Sequence, residues 1–234
     1  LITYFSQFIT MWILLSNFTS IKTWSTSEVI FLYSMQLMTY SIAAAFTANT
    51  VNDLPDMVKN GQLDEILSKP LNPFIYLLSM KFNVGYIAHF CVSFIIMILN
   101  FSLSEYAISI TKIVVFFVFL ISGSVITGSL MLITTIPCIY LVGTSGCWRI
   151  FYDLRTYTNY PLIIFNDFVQ FIFTCIIPFA FVSYYPCRYL FGKVEGIFPF
   201  DFVNICSPIV AIILVIITRI IWNKAIKMYD GSGT

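Results

Sequence analysis

Charge is what this chain of 234 residues has least of: Asp, Glu, Lys and Arg together make up 10%. A soluble domain carries about 25%. So few charges cannot clothe a surface that faces water, and a bilayer is the natural solvent. Histidine occurs once, at position 89, with no Cys or carboxylate three or four residues away to complete a metal site. The formal net charge is +1 and no basic run occurs, which removes nucleic acid as a partner. No GxxxxGK[ST] phosphate loop is present, since "GTSG" and "GSGT" lack both the lysine and the spacing, so the chain does not bind ATP in that way. GxSxG and HExxH are missing too, and with them the usual signatures of a serine hydrolase and a zinc protease. No catalytic residue, cofactor or metal is expected on this chain. The six cysteines never form a CxxC pair, and inside apolar runs a thiol packs as a small hydrophobe. Cys187 and Cys206 alone fall at similar expected depth, where a disulfide could form. The opening residues lack the basic end and cleavage site of a signal peptide. The expectation there is that a segment precedes Leu1.

What is abundant is apolar: 59% hydrophobic and 18% aromatic, with a mean hydropathy of +0.90. Runs long enough to cross a hydrocarbon core of about 30 Å as a helix fall at about residues 1–21, 28–50, 76–103, 112–141 and 203–222. Residues 147–199 admit two readings. One is a loop followed by a span at about 168–190; the other is a span at about 148–165 followed by a helical hairpin that dips in and returns. Pro161, Pro178 and Pro186 favour the hairpin, because broken helices at membrane depth need protein or water around them. Either reading gives six spans, an all-α polytopic fold in a single transmembrane domain over 1–234, with both termini on one side. That side carries Lys59, Lys69, Arg149, Arg155, Arg219, Lys224 and Lys227, against Lys22, Lys112, Arg188 and Lys193. The excess places the termini and the insert at about 51–73 in the cytosol. Trp24, Trp148 and Trp222 near span ends read as interfacial belts, and Lys81, inside the third span, as a residue that snorkels to the interface.

The insert is the least hydrophobic stretch, and "NGQLDEILSKPLNP" at 60–73 is its centre. Asp53 is placed to cap a short helix that has Pro55 in its first turn and stops at Gly61. A second short helix at about Gln62–Ser68 puts Leu63, Ile66 and Leu67 on one face. Pro70 forces Lys69 out of helical geometry. Asn72 can cap, and Pro73 begin, the helix that re-enters the membrane. So short a helix is unstable alone, so its apolar face needs a cover, either lipid or a partner's groove. Membrane-surface helices carry a basic polar face, whereas this one carries Asp64 and Glu65, which favours a protein partner.

Four stretches in order resemble a known family: "NGQLDEILSKPLNP", "NYPLIIF" at 159–165, "IIPFAFVSYYP" at 176–186 and "WNKAIKMYDGSGT" at 222–234. They are similar to the landmarks of the membrane-spanning permease subunits of type-2 ABC exporters, in a six-helix subfamily with a Gly-x-Leu-Asp-x-x-Leu-x-Lys-Pro-Leu motif. The resemblance implies a permease without catalytic activity, coupled to a separate ATP-binding subunit that carries ATP and Mg. It implies a second permease subunit, identical or related, and a bacterial plasma membrane. Gly61, Leu63, Asp64, Leu67, Lys69 and Pro70 match the motif, and with Glu65 they are the expected contacts to the ATPase. Pro161, Pro178 and Pro186 would shape a re-entrant hairpin near the outer face, at about 161–190. Cys147 departs from the family, which has an aromatic residue there.

His89 alone in the third span reads as a hydrogen-bonded interior residue, and Asp167 as an acid that is either functional in the membrane or simply wet. The alternative function is a secondary transporter or channel that works without an ATPase. Charges deep in the spans would be its sign, and the amphipathic insert speaks against it.

Overall fold

The computed structural model describes residues 20–102, 109–140 and 147–229. The first expected span lies almost wholly outside these residues. A two-residue hairpin pairs Ser20–Ile21 (β1) with Trp24–Ser25 (β2) and leads into α1, Thr26–Lys59. The start of α1 is fixed by a capping box: the Ser25 hydroxyl accepts from the Glu28 N–H, and the Glu28 carboxylate accepts from the Ser25 N–H. With 34 residues and a rise of 1.5 Å each, α1 is about 51 Å long, well beyond a hydrocarbon core of about 30 Å. The expected restart at Asp53 does not occur, and Pro55 lies inside a continuous helix. A proline removes one backbone bond and crowds the turn before it. Here Leu54, Met57 and Val58 are buried on both sides of it, and Asp53 is tied to Lys81, so side-chain contacts carry the helix across the defect.

The insert follows as α2, Gln62–Leu67, and α3, Pro73–Met80. Then come α4, Gly85–Ser102, and α5, Ile110–Thr135, the latter prolonged by a 3-10 turn at Ile136–Ile139. The expected third span is therefore broken. Its two halves, α3 and α4, meet at a bend of 71°. Tyr40 meets Tyr86, Phe46 meets Phe82, and the Asn100 amide donates to the Ser27 carbonyl, so α4 runs antiparallel to α1. Phe31 meets Phe116 and Thr47 meets Met131, so α5 runs parallel to α1. Enclosed by these neighbours, α1 is buried without interruption from Glu28 to Ser41.

The next segment is irregular. Helix α6, Cys147–Thr156, continues as a 3-10 turn at Tyr157–Asn159. The chain climbs along α1 here, with Tyr152 against Tyr40, Arg155 and Thr158 against Gln36, and the Ile163 carbonyl accepting from Lys22 Nζ. Over the expected span at 148–165 the α-helix is ten residues long and is followed by 3-10 turns at Tyr157–Asn159 and Leu162–Ile164. Helix α7, Asp167–Phe171, runs on through a π-turn at Ile172–Ile176 and stops at Pro178. Helix α8, Tyr184–Phe191, leads back and ends at Gly192, whose φ of +67° is left-handed. At the turning point the backbone passes so close to α5 that a Cβ on Gly123 would lie 2.8 Å from the Val182 carbonyl oxygen and 2.9 Å from Thr39 Cγ2. A short turn, α9 (Asp201–Asn204), precedes α10, Ser207–Lys227. Among the described residues three helices are long and apolar enough to cross a membrane, or four with the bent pair counted as one span.

Several expectations about single residues change. Cys187 and Cys206 are both free: Cys187 Sγ lies 3.7 Å from Met35 Sδ, and Cys206 donates to the Phe202 carbonyl. Trp24 and Trp222 are buried rather than facing lipid. Trp24 gives its Nε1 hydrogen to Glu195, and Trp222 packs edge-on against Phe74. Arg155, placed at the insert-bearing side from hydropathy, is buried in mid-bundle, 3.7 Å above the Tyr40 ring. Asp167 is exposed in the first turn of α7. His89 is half-buried, its ring edge-on to Tyr86.

Candidate functional site

The distinctive construction lies where α1 ends. The Asn60 N–H donates to the Asp56 carbonyl and the Gly61 N–H to the Val58 carbonyl. Gly61 then takes φ +71°, a left-handed conformation that glycine adopts without a Cβ penalty. This reversal folds α2 back against α1. The expected apolar face is present, but it points inward: Leu63 is 0% and Ile66 5% exposed, in one cluster with Leu54, Met57, Val58 and Leu77, and Leu67 is half-buried. The chain itself covers this face. Lipid or a partner's groove is not needed for that, since Leu63 and Ile66 lie in the chain's own core.

The outward face is short and mostly polar. It carries Gln62, Glu65, Ser68 and Pro70, with Asp64 half-buried and Leu71 58% exposed. Glu65 and Lys69 pair at 3.3 Å, one helical turn apart. Lys69 Nζ also donates to the Tyr76 hydroxyl at 3.1 Å. The Tyr76 hydroxyl first, and Glu65 second, hold the Lys69 ammonium above the usual lysine range. Pro70 ends the helix as expected, and the Leu71 N–H turns back to the Lys69 carbonyl at 2.8 Å. Asn72 caps α3 by accepting from the Phe74 and Ile75 N–H groups, with Pro73 in the first turn. The same Asn72 oxygen accepts from Arg219 Nη1 at 3.2 Å, and Arg219 and Trp222 of α10 both pack on Phe74.

Behind this surface α3 is stitched to α1. Thr50 Oγ1 donates to the Leu77 carbonyl, Asn49 Nδ2 to the Lys81 carbonyl, and Asn83 Nδ2 to Asn49 Oδ1, each at 3.0 Å. The Asn83 N–H reaches the Ala45 carbonyl at 2.8 Å, and Lys81 Nζ reaches Asp53 at 2.5 Å. Lys81 therefore sits in the bend between α3 and α4, and its ammonium reaches toward the insert to a counter-ion, Asp53. These bonds span a little over two turns of α1, from Ala45 to Asp53, so the tip of α1, α2 and α3 form one braced unit. The sequence carried the clue: Asn49, Thr50 and Asn83 are polar residues set in apolar runs, where an unsatisfied amide costs several kcal/mol.

At the other end of α1 lies the α7–α8 hairpin. Pro161 opens a 3-10 turn and Pro178 marks the reversal, whereas Pro186 sits in the first turn of α8 and breaks nothing. Lys193 pairs with the buried Glu28 at 2.8 Å. Glu195 accepts from Trp24 and Thr23, and Lys193 donates to the Thr23 carbonyl. Arg188 is fully buried between the Tyr184 and Tyr185 rings, with Nη1 on the Phe198 carbonyl. Between the two ends Gln36 bridges Arg155 and Thr158, and Tyr40 donates to Tyr152. None of these groups is arranged as a nucleophile with its base.

Compared with known proteins, the chain matches over residues 1–233 the family model described as ABC-2 family transporter protein. No curated protein and no solved structure matches it. A braced insert at the end of an apolar helical bundle and a match over the whole length agree: the chain belongs to the ABC-2 family of transporter proteins, as a transmembrane permease.

Proposed function

We propose that this chain is the membrane-spanning half of an ATP-driven exporter, in which two permease chains, identical or related, form the substrate path and a separate ATP-binding subunit supplies energy. The segment at about 51–73 is the coupling element, on the cytosolic face with both termini, and the α7–α8 hairpin is a re-entrant element of the outer face. The single observation that carries this reading is the braced insert: a polar, exposed strip mounted on a helix about 51 Å long, with its apolar side already satisfied inside the chain. A loop that needed only to connect two spans has no use for such bracing. The rising segment 147–163 serves as the fifth of six spans, and the positive charge bias keeps its direction with Arg155 removed from the count. When the ATPase dimer closes on nucleotide, its differential affinity for the two states moves the braced unit as a rigid body.

In this reading Gly61 and Leu63 position the helix, with Leu67 half-buried beside them. Glu65, Lys69, Pro70 and the exposed edge of Asp64 meet the partner, together with Leu71. The test is co-purification from native membranes in mild detergent, followed by ATP hydrolysis, with Glu65→Arg and Leu71→Asp variants. Both sites are exposed, so folding should be unchanged while the ATPase is lost or uncoupled. A chain that comes out alone, with both variants behaving like the parent, would sink the proposal. The second reading, a secondary transporter without an ATPase, draws on one observation, the buried Arg155–Gln36–Tyr40 group in mid-bundle. Transport by the purified chain in vesicles that lack nucleotide would favour it.

A further inference from the structure

A groove opens on the side of the bundle between α1, α3, α5 and α10, with a volume of about 370 Å³. Ligand sites run from roughly 300 to 1,000 Å³, so this one suits part of an extended molecule rather than a large compact one. Its floor is built from small residues, with Ala43 and Thr47 of α1 facing Gly128 of α5. Its rim is apolar and outward-facing, with Phe46 50%, Ile121 64% and Val215 47% exposed. The groove thus opens sideways to the bilayer. Three of its four hydroxyls do not invite hydrogen bonds: Thr47, Ser124 and Thr218 each donate to a carbonyl of their own helix at 2.7–2.8 Å. The walls therefore offer an occupant dispersion contacts and little else.

The mouth differs. Arg219 follows Thr218, a lining residue, and its guanidinium lies 5.2 Å over the ring of Phe74, another. It donates to the neutral Asn72 side chain, and a guanidinium has five N–H donors. Among the described residues the ion pairs are Lys69–Glu65, Lys81–Asp53 and Lys193–Glu28, and none supplies Arg219 with a carboxylate. A half-buried cation at the head of an aliphatic slot, at the level of the insert, complements an anionic head on a hydrocarbon tail.

We propose that the groove is a binding site for an anionic phospholipid, with one acyl chain between α1 and α5 and the phosphate on Arg219. Only the choice of leaflet rests on the function proposed above: if the insert is cytosolic, the lipid belongs to the cytosolic leaflet. The lipid then wedges against α3, part of the braced unit that would receive the ATPase stroke.

The test uses the whole chain in nanodiscs of equal phosphatidylglycerol and phosphatidylcholine, with retained lipid counted by native mass spectrometry after detergent exchange. Wild type should retain phosphatidylglycerol over phosphatidylcholine by about tenfold, the factor for one charge-assisted contact of about 1.4 kcal/mol. Arg219→Gln should erase that preference and Arg219→Lys should restore most of it, which separates charge from the Asn72 contact. Val125→Trp, at a rim residue already 36% exposed, should block the groove and remove both lipids at unchanged elution volume. Equal retention of phosphatidylglycerol by wild type and Arg219→Gln overturns the proposal. So does efficient disulfide cross-linking of Val125→Cys between two copies, which would assign the groove to a partner chain. Lipid retention is read without the ATPase, so its failure leaves the coupling assignment untouched, and loss of ATPase recovery leaves the lipid site untouched.

Discussion

Truncating Leu63 tests the inward orientation of α2 most directly. The side chain is fully buried against the end of α1. Leu63→Ala removes three carbons, about 2.4 kcal/mol at roughly 0.8 kcal/mol per CH₂, and core Leu→Ala losses run from about 2 to 5 kcal/mol. A six-residue helix has no stability of its own. The loss should therefore appear as detachment of α2 rather than as unfolding of the bundle, with the open population rising about fiftyfold at 1.4 kcal/mol per decade. Hydrogen exchange in nanodiscs reads this at the amides of residues 62–68. They should exchange about fiftyfold faster in Leu63→Ala, with α1 amides from 30 to 50 unchanged. Glu65→Ala, on the outward side, should alter exchange by less than about twofold, as surface changes usually stay within about 0.5 kcal/mol. The reasoning fails if Leu63→Ala leaves the exchange of α2 untouched yet abolishes ATPase recovery. That pattern would turn the helix over and make Leu63 a partner contact after all.

Three further outcomes follow from the packing. Lys193→Met takes the counter-ion from the carboxylate of Glu28, which is 3% exposed; it should cost about 3–5 kcal/mol, and thermal unfolding of the Glu28→Gln, Lys193→Met double variant should show a smaller loss than the single change. Gly123→Ala drives a Cβ to 2.8 Å from the Val182 carbonyl oxygen, for about 1–3 kcal/mol of overpacking, whereas Gly128→Ala meets Thr47 and Ala43 at ordinary contact distances of 3.4 and 3.7 Å and should be neutral or slightly stabilising through helix propensity. Lys69, held protonated above its ordinary 10.5 chiefly by the Tyr76 hydroxyl, should acylate more slowly at pH 9 than the same residue in a Tyr76→Phe variant. The sign follows from linkage: a raised pKa means its contribution persists through neutral pH and is lost only as pH rises past the lysine range.

The parts of the fold that were legible in the sequence are those governed by local rules. Gly61, Pro70, Asn72 and Pro73 punctuate the insert where turn and capping chemistry put them, and the apolar runs give α5 and α10 close to their observed lengths, whereas α1 runs to Lys59, well past the expected end at about residue 50. Sequence reasoning fails where long-range contacts decide. Pro55 reads as a helix start, yet buried neighbours on each side carry α1 through it. Residues 76–103 read as one span, yet the Asn83 N–H bond to the Ala45 carbonyl and the Asn49 amide bond to the Lys81 carbonyl turn it into an elbow. The apolar stripe of α2 was visible, but which surface it faces depends on the reversal at Gly61, and periodicity holds no information about that. Arg155 looks like a membrane-boundary residue by hydropathy, and only its stacking on Tyr40 places it in mid-bundle.

The same distinction bears on how force would travel. A helix buried on all sides through its middle transmits displacement along its axis, because close-packed neighbours shift as discrete units rather than deform. Helix α1 meets the insert at one end. At the other, its first turn holds the Glu28–Lys193 pair and lies beside the α7–α8 hairpin. The Asp53–Lys81 bond and the Asn49–Asn83 pair fasten α3 to it at the insert end, and Gly123 of α5 lets the backbone at Val182 in the hairpin's turning point come close, and the same glycine faces the Thr39 side chain of α1. A push on α2 therefore reaches the far hairpin through one rod and two tight contacts, with no flexible loop in series. In a mechanism of this kind the polar stitches at the elbow matter more for coupling than for stability. Exposed ion pairs contribute about 0–1 kcal/mol, and the Asp53 side chain is 46% exposed, so its loss should leave the fold standing while the insert and the rod move apart.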